Sequence, residues 1–140
     1  MRADTMHATL VFLGDVVQHR LEALQLAAQE VEGEPFSLSF DAARYWSHNH
    51  IVYAAPRTVP PQLAQLAHSL EQHLIKHRFH FDKHTSYKPH ITLLRHAQWS
   101  DAALPEMDKV IWRARDFALV QSEPNEGGAN YRVLARFPLR

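Results

Sequence analysis

The order of helices and strands that the sequence predicts is that of an α+β fold with two related halves. A His-x-Thr pattern occurs twice, at His7-Ala8-Thr9 and at His90-Ile91-Thr92, each time in a short apolar run typical of a buried strand. Apolar residues also recur at helical spacing over residues 16–31 and 60–78. Paired motifs of this kind suggest two halves that meet at a shared cleft.

The first part of the chain is predicted to be a strand, a helix and a second strand. The first motif strand covers residues 6–14, with Phe12 assigned to the core. Asp15 has the side chain of a helix N-cap, and the helix is predicted over residues 16–31. Residues 36–40 alternate between aromatic or aliphatic and serine side chains, which predicts a half-buried strand.

The rest of the chain has one more helix among several strands. Pro60 and Pro61 are suited to open this helix, which is predicted to run to about residue 78. A loop is expected over residues 124–130, around two glycines. The pattern over residues 100–107 is compatible with either a short helix or a loop. Strands are predicted at residues 50–55, 87–95, 110–120 and 131–137, with Tyr131 in the core.

Each motif presents an imidazole and a hydroxyl together, because residues two apart on a strand share a face. Imidazole titrates near neutral pH, so two of them can supply an acid and a base in one step. Threonine hydroxyls can donate to phosphate oxygens without adding charge. No cysteine, carboxylate pair or glycine-rich loop accompanies the motifs. We therefore interpret them as a metal-free phosphodiester site, the alternative being two ordinary strands with a polar stripe.

The two motifs resemble those of the two-histidine (2H) phosphoesterases. Residues 9–15 and 88–95 are similar to the bacterial RNA 2′,3′-cyclic phosphodiesterases, also called 2′-5′ RNA ligases, and residues 121–139 resemble the C-terminal hairpin of that family. The resemblance implies a single domain over residues 1–140. It also implies a two-lobed α+β fold, with antiparallel sheets, outer helices and a central cleft that carries both motifs.

The resemblance also implies a reaction, the hydrolysis of 2′,3′-cyclic phosphate ends of RNA, or of cyclic nucleotides, to 2′-phosphomonoesters. His90 would be the general base and His7 the general acid, while Thr9 and Thr92 would bind the nonbridging oxygens. No metal and no cofactor is implied. Reversible 2′-5′ ligation would use the same groups.

Three further residues are predicted to bind the substrate. Lys88 and Arg95 flank the second motif and are candidate cations for phosphate. Strict alternation turns Arg95 away from His90, so its role requires a bulge or a strand end there. Trp46 lies near a predicted turn and is the candidate for stacking on a base.

Composition excludes several other classes of protein. The 140 residues carry 15 basic and 15 acidic side chains, so no overall basic field favours a long duplex as partner. The chain has no cysteine, which excludes disulfides and thiolate metal sites. No apolar run approaches the roughly 18 residues of a membrane span. We expect no membrane association and a cytoplasmic location.

Two alternatives and one assembly state remain as expectations. His77, His80 and His84 are close in sequence and suggest a histidine-rich metal-binding protein as a weaker interpretation. A stronger alternative is a module that binds nucleotides or RNA ends without turnover.

The family has a strand and a helix before the first motif, and we expect this chain to lack them. The first lobe would then be truncated, and its open sheet edge favours a homodimer.

Overall fold

The fold contains two helices and seven strands within the part of the chain that the structure describes. The structure is a computed structural model, and it describes residues 6–83, 87–98, 106–126 and 128–140. The helices are α1 (Leu21–Gln29), which follows a 3-10 turn at Gln18–Arg20, and α2 (Pro61–Lys76). The strands are β1 (Phe36–Phe40), β2 (Ala42–Trp46), β3 (Ile51–Ala55), β4 (Ile91–Leu94), β5 (Val110–Ala114), β6 (Asp116–Asn125) and β7 (Gly128–Pro138).

These strands form three antiparallel sheets, which confirms the predicted α+β class. Strand β1 pairs with β5, strands β2, β3 and β4 form a three-stranded sheet with β3 in the centre, and β6 and β7 form a long hairpin. The pattern of β1 follows the pleat, since Leu38 and Phe40 are each 2% exposed while Ser37 points outward. Central strand β3 is buried from Val52 to Ala55.

Helix α2 agrees closely with its prediction. It begins at Pro61, where proline fits because the first helical N–H has no acceptor within the helix. It ends just before Arg78, whose φ of 63° is left-handed. The guanidinium of Arg20 donates to the carbonyl oxygens of His77 (2.8 Å) and Arg78 (3.3 Å), which satisfies acceptors at the end of the helix. Its buried stripe is Leu63, Leu66, Ala67, Leu70 and Leu74.

Helix α1 is shorter than predicted, and Asp15 is not its cap. The first turn after residue 17 is a 3-10 turn whose N-cap is Val17, without a side-chain hydrogen bond. The α-helical part begins only at Leu21. Asp15 therefore lies too far ahead of the helical N–H groups to accept from them. Two residues of the predicted apolar helical patterns, Leu26 of α1 and Ile75 of α2, are 51% and 47% exposed rather than buried.

The buried side chains form two clusters, and the first motif segment touches both. One cluster joins the helices to the chain end through Leu24, Leu66, Leu74, Phe79 and Leu139, among others. The second consists of Leu38, Phe40, Ala54 and Leu63, with Tyr87, Ile91 and Leu93 packed against it. Leu10 packs against both clusters.

The first motif is not part of a regular strand, contrary to prediction. The segment is paired through one isolated bridge, at Ala8. Gly14 has a left-handed φ of 69°, so the chain turns at this residue. A ladder needs a neighbouring strand along its length, and within the described residues this segment is paired at that one position. Phe12, assigned to the core, is 61% exposed, because the irregular backbone instead directs Leu10, Val11 and Leu13 inward.

The C-terminal third also departs from its prediction. The strand expected over residues 110–120 is divided at Arg115 into β5 and β6. Strand β6 ends at Asn125 and β7 begins at Gly128. The connection between them is therefore shorter than the loop expected over residues 124–130. Most of residues 100–107, for which a short helix or a loop was expected, lie outside the described residues. No helix in the described part of the chain combines the length and the apolar character needed to cross a bilayer.

Candidate active site

The two His-x-Thr motifs meet at their central residues. Ala8 and Ile91 form an antiparallel bridge. In this register His7 is level with Thr92, and Thr9 is level with His90, one step on either side of the bridge. Residues next to a bridge point to the opposite side from the bridged pair. The bridge therefore places the imidazole-bearing residue of each motif level with the hydroxyl-bearing residue of the other.

His90 has a defined hydrogen bond at one ring nitrogen. It stands directly before β4, is half-buried, and its Nδ1 lies 3.1 Å from the carbonyl oxygen of Lys88. A carbonyl only accepts, so Nδ1 carries the hydrogen in this contact. In the neutral imidazole, Nε2 then carries the free lone pair. This tautomer is the one that a general base needs.

An aromatic pair surrounds His90. Trp46, at the end of β2, lies 4.8 Å from the His90 ring at an interplanar angle of 77°. Tyr53, in β3, lies 5.8 Å away at 76°. Trp46 and Tyr53 stack on each other at 3.8 Å and 27°. Desolvation by burial raises the pKa of the Tyr53 hydroxyl, so the ring stays neutral.

His7 has its own aromatic neighbour, Tyr131 of β7. The two rings are 5.0 Å apart at an interplanar angle of 78°. Tyr131 was assigned to the core but is only half-buried, because the β6–β7 hairpin brings its ring to the first motif. Sequence reasoning missed Tyr131 and Tyr53 as neighbours of the two histidines. The one available signal was that Tyr131 belongs to the C-terminal segment that resembles the family.

Two hydrogen bonds fasten the irregular first motif segment beside the second. The hydroxyl of Tyr87 donates to the carbonyl oxygen of Thr9 at 2.8 Å. The backbone N–H of Asp82 donates to the carbonyl oxygen of Phe12 at 3.0 Å. Burial raises the pKa of Tyr87 far above its ordinary value, so the hydroxyl remains a donor. With the Ala8–Ile91 bridge, these contacts follow an antiparallel order, since Ala8, Thr9 and Phe12 contact Ile91, Tyr87 and Asp82 in turn.

Lys88 and Arg95 are both exposed at the two ends of the second motif. Strand β4 ends at Leu94, so Arg95 stands at the strand end that its predicted role requires. The turn that follows is fastened to the β2–β3 turn. Tyr45 donates its hydroxyl to the carbonyl of Ala97 at 3.0 Å, and the N–H of Ala97 donates to the carbonyl of His50 at 2.9 Å.

The histidines outside the motifs have other surroundings. Nε2 of His77 lies 3.1 Å from both carboxylate oxygens of Glu30, and this hydrogen bond lowers the pKa of Glu30. His80 is exposed, and His84 lies outside the described residues. Within the described ranges, no three His, Asp or Glu side chains are grouped to hold a metal ion.

An open hollow of about 470 Å³ lies elsewhere, between the start of β1, the first turn of α2 and the end of β5. Its lining includes Phe36, Gln62 and Arg113 but neither motif. Because no residue of either motif lines it, this hollow is separate from the candidate active site.

Comparisons with known proteins identify the family and the fold of the chain. Residues 2–125 match the 2′-5′ RNA ligase superfamily. The RNA 2′,3′-cyclic phosphodiesterase of Escherichia coli (strain K12) is 32% identical over 137 residues, a match that covers 98% of this chain and 77% of that protein. The crystal structure of E. coli LigT in apo form has a TM-score of 0.87 at 30% identity and covers 99% of this chain and 78% of the other. E. coli LigT complexed with 3′-AMP also has a TM-score of 0.87, at 32% identity, with 99% and 79% covered.

Proposed function

The chain belongs to the 2′-5′ RNA ligase superfamily, and we propose that it is an RNA 2′,3′-cyclic phosphodiesterase that acts through His7 and His90. The observation that carries this proposal is the Ala8–Ile91 bridge, which sets the two His-x-Thr motifs side by side in opposite directions. Paired imidazoles with adjacent hydroxyls suit a reaction that needs one proton removed, one proton supplied and a phosphate stabilised.

In the proposed reaction, water attacks the phosphorus of the cyclic phosphate. Nε2 of His90 takes a proton from this water as the new P–O bond forms. The bond from phosphorus to the 3′-oxygen breaks, and His7 protonates that oxygen to give a 3′-hydroxyl. The product is a 2′-phosphomonoester. When a 5′-hydroxyl replaces water as the nucleophile, the same steps give a 2′-5′ linkage.

The threonines and the flanking cations complete the proposed site. Thr9 and Thr92, both half-buried, are proposed to donate to the nonbridging oxygens, where negative charge grows in the transition state. Lys88 and Arg95 are proposed to attract the phosphates of the RNA from the two ends of the second motif. One face of Trp46 is covered by Tyr53, so a base would stack on the other face.

We also propose that residues 1–140 act as a single unit with two lobes. Leu10 supports this proposal because it packs against both core clusters. Packing of one side chain against both clusters couples their stability, as expected within one domain.

Replacing either motif histidine is expected to abolish turnover but not binding. His7→Ala and His90→Ala should each lower kcat by at least a hundredfold, because one proton donor and one acceptor are needed together. Hydrolysis of a 2′,3′-cyclic nucleotide gives kcat, and titration with the 2′-phosphate product gives binding.

His68→Ala is the matched control, since His68 is exposed on α2 and outside both motifs. Near-normal turnover by either motif variant would contradict the two-histidine mechanism. Product binding without turnover by the wild-type protein would favour the binding module instead.

Activity is expected to survive removal of metal ions. Every proton transfer in the proposed reaction is assigned to an imidazole, and the phosphate is stabilised by hydroxyls and cationic side chains. The measurement is turnover after exhaustive dialysis against EDTA, with the metal content of the dialysed protein determined in parallel. Activity that is lost on dialysis and restored by zinc or manganese would refute this prediction.

We further propose that the chain forms a homodimer through β5. This strand pairs with β1, and its other edge has no partner strand among the described residues. Val110, Ile111 and Trp112 follow one another along it and are 54%, 60% and 42% exposed. An open edge with exposed apolar side chains favours pairing with another strand. Two copies of β5 in antiparallel pairing would cover both edges in a symmetric interface.

Ile111→Lys is expected to shift the protein from dimer to monomer, because a charge on an edge strand opposes pairing. Sedimentation velocity over a range of protein concentrations measures the change. Leu26→Lys is the control, since Leu26 is similarly exposed but lies on α1. A wild-type chain that is monomeric at every concentration would contradict the proposal.

A further inference from the structure

We infer that the aromatic pair, Trp46 and Tyr53, positions the His90 ring for proton transfer. This inference rests on the proposed function, since it gives the pair a role in the chemistry of His90. It assigns to Trp46 a role beyond the base stacking considered above. It also assigns a role to Tyr53, which the sequence did not single out.

Three contacts converge on the His90 ring. The Lys88 carbonyl accepts from Nδ1, while Trp46 and Tyr53 meet the ring at 77° and 76°. The torsion that rotates an imidazole about its Cβ–Cγ bond is broad and nearly two-fold, so a single hydrogen bond selects it weakly. Two rings set almost perpendicular to the imidazole hinder that rotation. The contacts together keep Nδ1 on Lys88 and leave Nε2 for the substrate.

The aromatic pair is itself held by the sheet that carries the second motif. Arg44 is the cross-strand partner of Tyr53. Trp46 lies two residues further along β2, so it is the diagonal neighbour of Tyr53, at a distance that aromatic side chains can span. On the other side of β3, Tyr53 pairs with Thr92. Tyr53 is 9% exposed. The pair and the second motif therefore share one rigid three-stranded support.

This arrangement favours an effect on the chemical step rather than on binding alone. Tyr53 covers one face of the indole at 3.8 Å, and the Trp46 ring also contacts the imidazole. Small displacements of a catalytic group can lower the rate by about a hundredfold. Loss of the Trp46 ring should therefore act mainly on kcat, whereas loss of a base-stacking platform would act mainly on KM.

The test compares Trp46→Leu with Trp46→Phe in hydrolysis of 2′,3′-cyclic nucleotides that carry different bases. We expect Trp46→Leu to lower kcat about tenfold or more, equally for every base and with little change in KM. Trp46→Phe keeps a ring beside His90 and should recover most of that loss. A rise in KM that depends on the base, with kcat unchanged, would overturn the inference in favour of stacking alone.

Trp112→Leu is the matched control. Trp112 lies on β5 and stacks on Phe40 with ring centroids 6.2 Å apart, and the leucine keeps the strand apolar. Thermal unfolding of all variants identifies any general loss of structure. A fall in kcat as large in Trp112→Leu as in Trp46→Leu would also overturn the inference.

A second measurement is independent of turnover. Nitrogen-15 NMR reports the tautomer of His90, which should be the Nδ1–H form in the wild-type protein and a mixture in Trp46→Leu. An unchanged tautomer signal in Trp46→Leu would overturn the inference. A wild-type protein without turnover would count against the proposed function, and the tautomer comparison would still decide the inference.

Discussion

The bridge between Ala8 and Ile91 is the contact on which the candidate active site depends. It joins the central residues of two motifs that lie far apart in sequence and sets them antiparallel. One such backbone pairing contributes only about 0.5–1.5 kcal/mol, so it persists because neighbouring groups support it. Leu10 packs against both core clusters, and the Tyr87 hydroxyl and Asp82 N–H bind the carbonyls of the same segment.

The two motifs are supported differently, which fits their different proposed roles. His90 precedes a strand of the three-stranded sheet, and a backbone carbonyl and two aromatic rings surround it. His7 is exposed on an irregular segment with Tyr131 beside it. A base must keep one nitrogen free in a defined direction, and the contacts of His90 provide this. The long C-terminal hairpin contributes to the site by bringing Tyr131 to His7.

Most elements that the sequence predicted correctly have a local cause, whereas most of those that it missed depend on residues far along the chain. The apolar stripe that predicts α2 and the alternation that predicts β1 each lie wholly within the element concerned. Both elements are present as predicted. The apolar run around His7 looks the same as a strand, but a strand also needs partners, which no local pattern reports. The same limit applies to Tyr53 and Tyr131, whose contacts with the histidines arise from pairing between distant strands. The paired His-x-Thr motifs were visible because they repeat.

A cross-motif disulfide tests the account most directly. Antiparallel partners have Cα atoms about 4.5–5.5 Å apart, within the range that a disulfide spans, and the natural chain has no cysteine to interfere. In the Ala8→Cys, Ile91→Cys double variant we expect an intramolecular disulfide on mild oxidation, seen as the loss of two hydrogens in the intact mass. Ala8→Cys with Leu94→Cys is the control, since residue 94 lies roughly 10 Å further along the strand. Thiols that stay free in the Ala8–Ile91 pair, or that cross-link as readily in the control, would contradict the account.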